Sequence, residues 1–387
     1  MIVSKALAPM VVCLVAGNAS ADEPAATGED APTTTADGGS TFDRVWSYAT
    51  LYENDENPLM QRLAFTGRLK ADAAFVDSNR GNDEWLEWRR VRLGLKASMF
   101  EAFTLHAEVD LDANDLEFDH LDDAYNRLTD CSIGWSRDDA LMIKVGKQSA
   151  PFTLDGATSS KKLITLERST VATNLWFPTE YFTGLAAMGE IGAWAYHLGG
   201  YSASGDAEFG SFDSGAFGLA SLGYDFAEQV GLDVSFVRLD VVYNDPDDTG
   251  DVGTRDLRHV ITFASTFESG AVGLSSGLSF GTGIGDQSDL FGLEVMPHYD
   301  LNERWQAVFR YTCVTSAGDP GVRLNRYESR LTNDRFDDAQ EFFLGLNWYL
   351  YGHKLKWQSG VEYTSATVDE GTGYFGWGFT TGIRLSW

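Results

Sequence analysis

Phe375-Gly376-Trp377-Gly378-Phe379-Thr380-Thr381-Gly382-Ile383-Arg384-Leu385-Ser386-Trp387 closes the chain. Phe375, Trp377, Phe379, Ile383, Leu385 and Trp387 share one parity, and Gly376, Gly378, Thr380, Gly382, Arg384 and Ser386 share the other. Successive side chains of a strand point to opposite faces, so the segment reads as a strand with one apolar face and one small or polar face. A strand of this kind suits lipid on its outside and water on its inside.

The same period of two returns upstream. Leu63, Phe65, Leu69, Ala71, Ala73 and Phe75 oppose Thr66, Arg68, Lys70 and Asp72; Val91, Leu93, Leu95, Ala97 and Met99 oppose Arg90, Arg92, Lys96 and Ser98. Phe103, Leu105, Ala107, Val109 and Leu111 oppose Thr104, His106, Glu108 and Asp110. Sixteen strands are predicted, near 62–77, 85–99, 102–112, 121–132, 140–147, 184–190, 193–202, 214–225, 230–242, 256–267, 271–281, 289–300, 305–315, 339–350, 354–366 and 373–387. Soluble sandwiches alternate as well, so the connections decide. If the first strand runs outward from the periplasm, turns after even strands are short, such as Phe100-Glu101 and Tyr351-Gly352-His353, whereas connections after odd strands include the long ones. That asymmetry, with an even count that leaves no open edge, marks a membrane barrel. The fold class expected is all-β: a sixteen-stranded antiparallel transmembrane β-barrel.

The third outer connection, Gln148 to Thr183, is the longest and carries Leu154, Leu163, Ile164, Leu166, Leu175, Trp176 and Phe177. A loop this apolar is expected to leave water and pack inside the barrel as a constriction loop. Composition agrees with a barrel: 40 Gly with 11 Trp, 15 Tyr and 24 Phe against 9 Pro supplies tight turns and interfacial aromatics.

At the other end, Lys5, an uncharged run from Ala6 to Gly17 and Ala19-Ser20-Ala21 have the form of a cleaved export signal, residues 1–21. Its apolar run is too short to span, and no later stretch offers ~20 consecutive apolar residues, so a helical membrane protein is excluded. Residues 22–45 read as a disordered acidic periplasmic tether, 46–61 as a short pre-barrel segment and 62–387 as the barrel. Cys13 leaves with the signal, and Cys131 and Cys313 are expected to stay unpaired thiols.

With 29 Lys and Arg against 57 Asp and Glu, net charge −28, the chain is a poor partner for nucleic acid. Its bases nevertheless gather. On the inward parity of the last two and first two strands stand Lys354, Lys356, Arg384, Arg68, Lys70, Arg90, Arg92 and Lys96, opposed mainly by Glu362 and Asp72. Like charges along a narrow low-dielectric passage concentrate the opposite ion, so this basic wall predicts a preference for anions. The run from Asp110 to Asp115 starts like a calcium loop, but Asp115 and Leu121 occupy the places of the required Gly and Glu, and no metal or cofactor is expected.

Several words of the sequence then match a known family. Arg89-Arg90-Val91-Arg92-Leu93-Gly94, Val145-Gly146-Lys147-Gln148-Ser149-Ala150-Pro151-Phe152, Thr158-Ser159-Ser160-Lys161-Lys162 and Leu166-Glu167-Arg168-Ser169 resemble the phosphate-selective porins O and P. Asn174-Leu175-Trp176-Phe177, Glu180-Tyr181-Phe182 and Leu324-Asn325-Arg326-Tyr327-Glu328 extend the likeness, which runs from about Trp46 to Trp387. The resemblance implies a homotrimer of sixteen-stranded barrels in the bacterial outer membrane, with an eyelet of arginines and lysines that pass anions such as phosphate inward. It also implies eyelet roles for Arg89 and Arg90, and a polar loop segment in Ser159, Ser160, Lys161 and Lys162, followed by Arg168. Alternation points Arg90 inward and Arg89 towards the wall or a bulge.

Four functions follow for comparison: a passive anion channel for phosphate or polyphosphate, a non-selective diffusion porin, a barrel enzyme and an adhesin. An enzyme would need a nucleophile, base and orienter that converge, and His106, His120, His197, His259, His298 and His353 show no such spacing. Nothing in the outer stretches Tyr243–Arg255 and Ala317–Asp338 favours an adhesin.

Overall fold

A computed structural model describes residues 40–114, 124–247, 251–318 and 321–387. The expected export signal, and the tether as far as residue 39, lie outside the described residues. Residues 40–45, assigned above to the end of that tether, open a helix, α1 (Thr41–Ser47). Ser40 and Asp43 cap it reciprocally: Asp43 N–H donates to Ser40 Oγ (3.1 Å) and Ser40 N–H to the Asp43 carboxylate (2.7 Å). This satisfies amides that a first helical turn leaves open. The Trp46 indole then donates to Ser386 O (2.7 Å), tying the helix to the end of the chain.

After a short strand β1 (Thr50–Glu53) come the barrel strands. They are β2 (Met60–Ser78), β3 (Gly81–Met99), β4 (Phe103–Leu111), β5 (Tyr125–Asp138), β6 (Leu141–Ser149), β7 (Tyr181–Ile191), β8 (Trp194–Ser202) and β9 (Gly215–Asp225). The ring continues with β10 (Val234–Pro246), β11 (Leu257–Ser269), β12 (Val272–Gly283), β13 (Leu290–Asn302), β14 (Trp305–Ser316), β15 (Asp338–Tyr351), β16 (Leu355–Thr367) and β17 (Tyr374–Ser386). Each pairs antiparallel with the next, and β17 closes the ring on β2. These are the sixteen strands the alternation predicts, with ends displaced by a few residues. β2 is longer than β17, so its first residues would present an open edge. β1 pairs there, Thr50 opposite Ala64 and Glu53 opposite Arg62, beyond the point where Trp387 and Gly67 exchange backbone bonds.

The alternation now has two physical sides. Phe65, Phe75, Leu93, Leu95, Phe309, Leu344 and Phe379 are exposed on the outer face, while Arg68, Lys70, Asp72, Arg92 and Arg310 are buried inside. Near the short turns, aromatics meet across strands: Phe103 opposite Trp135, Trp194 opposite Tyr224, and Trp348 opposite both Trp305 and Trp357. This is the girdle a membrane interface favours. Cys131 and Cys313 are free.

The long third outer connection folds into the lumen, as its composition predicts. It carries α2 (Leu154–Ala157) and α3 (Thr170–Leu175). Phe177 meets Phe152 at 5.0 Å and Phe217 at 5.1 Å between ring centres, in a buried cluster with Val171, Leu175, Trp176, Leu219, Val242, Leu257, Leu290 and Val314. Part of the inner wall of β9–β14 is therefore apolar, because the loop and not water covers it. Gly292 leaves room for this contact: a Cβ there would stand 2.9 Å from Leu175 Cδ1 and 3.0 Å from Val171 Cγ1. Two smaller helices follow, α4 (Ala227–Val230) in a turn on the girdle side and α5 (Glu328–Leu331) in the outer connection before β15.

Candidate functional site

Strand register sets the basic residues side by side. Lys356 lies opposite Arg384, Arg384 opposite Lys70, and Lys70 opposite Arg90, so four bases form one belt across β16, β17, β2 and β3. Arg68 and Arg92 oppose each other in the next inward row. Lys96 lies further along β3, half-buried and opposite His106. Lys354 departs from the expected wall: the turn takes it out of the strand, exposed, with its ammonium over the Tyr351 ring.

The belt is buried beneath the constriction loop and grips its backbone. Lys70 Nζ donates to Ser160 O (2.6 Å), Arg68 to Ser160 Oγ (2.6 Å), Lys356 to Leu163 O and Arg384 to Leu166 O (3.3 Å). Asn347 adds a bond to Ile164 O (2.8 Å). Loop carbonyls have no helix or sheet partner of their own, so cationic donors from the wall satisfy them and fix the loop's height. Arg68 also pairs with Glu108 (3.2 Å), and Arg384 with Asp72. On the loop, Lys161 reaches Thr66 Oγ1 (3.3 Å) and Trp387 O (3.2 Å); Lys162 and Ser159 are half-buried beside it.

Arg89 is where simple alternation fails. Lys70 pairs with Arg90 but Ala71 with Trp88, so Arg89 is the extra residue of a β-bulge. A bulge turns two consecutive side chains to one face, and both arginines point inward. Arg89 binds the Glu167 carboxylate with two donors, one at 2.8 Å, and Arg90 binds Glu180 with two, at 2.6 and 3.2 Å. Arg92 and Arg168 also approach Glu180, at 3.4 and 3.5 Å. Glu180 adopts φ 64°, a left-handed conformation that costs a non-glycine residue roughly 1–2 kcal/mol. Three converging guanidinium groups offset that cost. The fixed planar fork of arginine suits such two-point contacts with a carboxylate.

Outside this pair of carboxylates a cavity of about 380 Å³ opens, lined by Arg89, Arg90, Arg168, Arg255, Arg326 and Arg330 with Glu167, Glu180, Asn325 and Trp176. A neck of about 20 Å³ shares Arg168, Trp176 and Glu180 with it and continues along Arg68, Ser159 and Ser160. Arg326 and Arg330 both bind Glu87, at 2.7 and 2.6 Å. Arg255 donates to Thr173 O (2.6 Å) and its buried Nε has no partner. Arg323 and Arg335 share one acceptor, Gln287 Oε1, each at 3.4 Å. Burial pushes Arg255, Arg323 and Arg335 below their ordinary value, with repulsion from neighbouring arginines adding to it at Arg255 and Arg323 and Asp256 opposing it at all three, and among the described residues none of the three forms an ion pair. An anion arriving there would relieve this repulsion.

Glu167, Glu180, Arg255, Arg323 and Arg335 escaped the sequence reading as site residues. Glu167, Glu180 and Arg326 stand in quoted family words, but Arg255, Arg323 and Arg335 occupy aperiodic outer loops where spacing carries no signal. The described histidines bond to separate neighbours: His106 approaches Asp130 (3.5 Å), His197 bonds Tyr201 (2.8 Å) and His353 bonds Lys356 (3.0 Å).

Known proteins give the same picture. The barrel superposes on an anion-selective porin from Comamonas acidovorans with a TM-score of 0.59 at 12% identity, covering 84% of this chain and 99% of that one. The Salmonella typhi OmpF complex with daunomycin gives 0.59 at 13%, covering 87% and 100%, and the outer membrane channel DcaP of Acinetobacter baumannii gives 0.58 at 11%, also covering 87% and 100%. At such identities the likeness speaks for the fold. No curated protein sequence matches the chain. The family described as phosphate-selective porin O and P matches residues 63–258, just over half of the sequence. On that match and this barrel, the chain belongs to the phosphate-selective porin O and P family and is an integral outer-membrane β-barrel of the porin type.

Proposed function

We propose that the protein is a passive outer-membrane channel favouring small anions, phosphate or polyphosphate among them, and that it works as a homotrimer after export by a cleaved signal. The observation that carries this reading is the outer cavity, where six arginines face two glutamates above a narrow neck. Arg255, one of the six, and Arg323 and Arg335 outside the cavity lining form no ion pair among the described residues, and guanidinium forks fit phosphate oxygens two at a time. Arg68, Lys70, Arg89, Arg90, Arg92, Lys96, Lys356 and Arg384 supply the positive field behind the neck, and Ser159, Ser160, Lys161, Lys162 and Arg168 the polar edge of the constriction. Burial of most of that belt in ion pairs and loop contacts favours a second reading, a general diffusion porin of the same shape. Planar-bilayer recordings under a salt gradient separate the two. The expected outcome is an anion-side reversal potential and a chloride current that falls when phosphate is added; a cation-side potential would refute the anion reading, and a potential near zero would leave the general porin.

A further inference from the structure

Next to the basic belt, on β13 to β16 and the loops that cover them, the lumen holds a group of carboxyls with too little positive charge. Arg310 on β14 contacts Glu341 (3.0 Å from Nε), Asp155 (3.6 Å) and Glu362 (3.7 Å), while Glu294 and Glu328 complete the group. Asp155, Glu294, Glu328 and Glu341 are buried, and Glu362 stays partly exposed, 17% at its side chain. The loop satisfies some of their oxygens: Ser169 N–H donates to Asp155 (2.7 Å), Ser169 Oγ to Glu294 (2.9 Å) and Thr170 Oγ1 to Glu341 (2.6 Å). Asp155 Oδ1 and Glu294 Oε1, each on a side chain about 1% exposed, have no partner. Gathering five carboxyls around one guanidinium in a low-dielectric interior is unfavourable.

One pair is placed to exchange its proton with water. Glu328, on α5, and Glu362, on β16, lie close enough for their carboxyls to interact, with Arg310 lining the same space. Two adjacent carboxylates repel when both are ionised, and one proton between them relieves that repulsion. Both line a cavity of about 30 Å³, room for a water molecule. Its lining includes Glu167, Asn325 and Arg326, which also line the outer cavity.

We propose that the Glu328–Glu362 pair is a titratable selectivity element: the shared proton keeps this wall of the passage tolerant of anions, and its release turns the wall against them. The inference rests on the channel reading above. Burial, with Glu341 nearby, pushes the Glu328 carboxyl up to about 7, so the protonated pair prevails below that pH and the ionised pair above it. The charged and titratable groups facing the pair are Arg310 on β14, Glu341 on β15 and Tyr374 on β17. Arg326 and Glu167 approach from the two loops.

The test is the reversal potential of reconstituted wild-type channels between about pH 6 and pH 8.5. The anion-to-cation permeability ratio should fall about twofold across that range, as one negative charge appears beside a narrow passage. Glu328→Gln and Glu362→Gln, each of which breaks the carboxyl pair, should flatten the dependence. A flat wild-type response, or variants that follow the wild type, would overturn the proposal. Infrared spectra of the wild type provide a readout independent of the variants: a protonated-carboxyl band present at the lower pH should be lost at the higher, and its absence at the lower pH refutes the shared proton. A channel that prefers cations throughout yet shifts further that way with pH would refute the anion reading and leave the titratable pair standing.

Discussion

At the scale of residues, the site is a set of ion pairs closed by a strained glutamate. Glu180 stays in its left-handed conformation because Arg90, Arg92 and Arg168 converge on it. Arg90→Gln leaves that carboxylate with its two weaker contacts, and loss of one partner of a buried pair costs roughly 3–5 kcal/mol. The variant should unfold at a lower temperature in detergent and shift its reversal potential towards cations. Arg90→Gln combined with Glu180→Gln should recover part of the lost stability: the buried carboxylate is gone, while Arg168 loses its ion pair and keeps its bonds to Asp155 O and Thr158 O. If the double variant is as unstable as the single one, the pair is not what holds this corner. Arg90 could be placed inward from alternation alone. Arg89 could not, since the residue that breaks the period is visible only when the partner strand supplies the register.

Among the elements, the constriction loop depends on two unlike walls. On one side, apolar contacts of α3 fill space that Gly281 and Gly292 leave free: a Cβ on either would meet Leu175 within 2.8 or 2.9 Å. Gly292→Leu should force α3 away from the wall, and overpacking of this kind costs roughly 1–3 kcal/mol. The loop should then become more sensitive to added protease, while the barrel itself remains folded and shifts on unheated gels as the wild type does. On the other side, ammonium and guanidinium groups hold loop carbonyls. Lys356→Met keeps the aliphatic stem and removes the charged one of two donors to Leu163 O, the other being Gln358 (3.2 Å), so single-channel currents should become noisier and larger. Unchanged current noise would mean that the remaining donors, Lys70, Asn347, Gln358 and Arg384, suffice.

Across the whole molecule, an acidic chain encloses arginine-lined space. Net charge is −28, yet the outer cavity is lined by six arginines and two glutamates. Any selectivity is therefore local, and salt should weaken it: the screening length is about 10 Å at 0.1 M and about 3 Å at 1 M. The permeability ratio from reversal potentials should approach unity as the mean salt concentration rises across that range. A ratio independent of salt would mean that anions are selected by direct contact at the neck instead of by the field of the cavity.

The sequence by itself determined the barrel: sixteen strands, their inward and outward faces, the lumenal position of the long apolar loop, and the neighbourhood of Lys356, Arg384, Lys70 and Arg90. These follow from period-two alternation and ring closure, which are local rules applied strand by strand. The closing strand from Tyr374 to Ser386 shows this most clearly, since its parity alone put Arg384 in the lumen. Only the tertiary structure decided what each inward charge meets. Glu167 and Glu180 come from the folded loop to reach Arg89 and Arg90, and Glu328 comes from an outer connection to reach Glu362, across sequence separations that no periodicity encodes. Inside a closed barrel the partner of a charge is set by the height and depth at which a loop enters. That depends on packing against the far wall, so it exists only once the ring has closed.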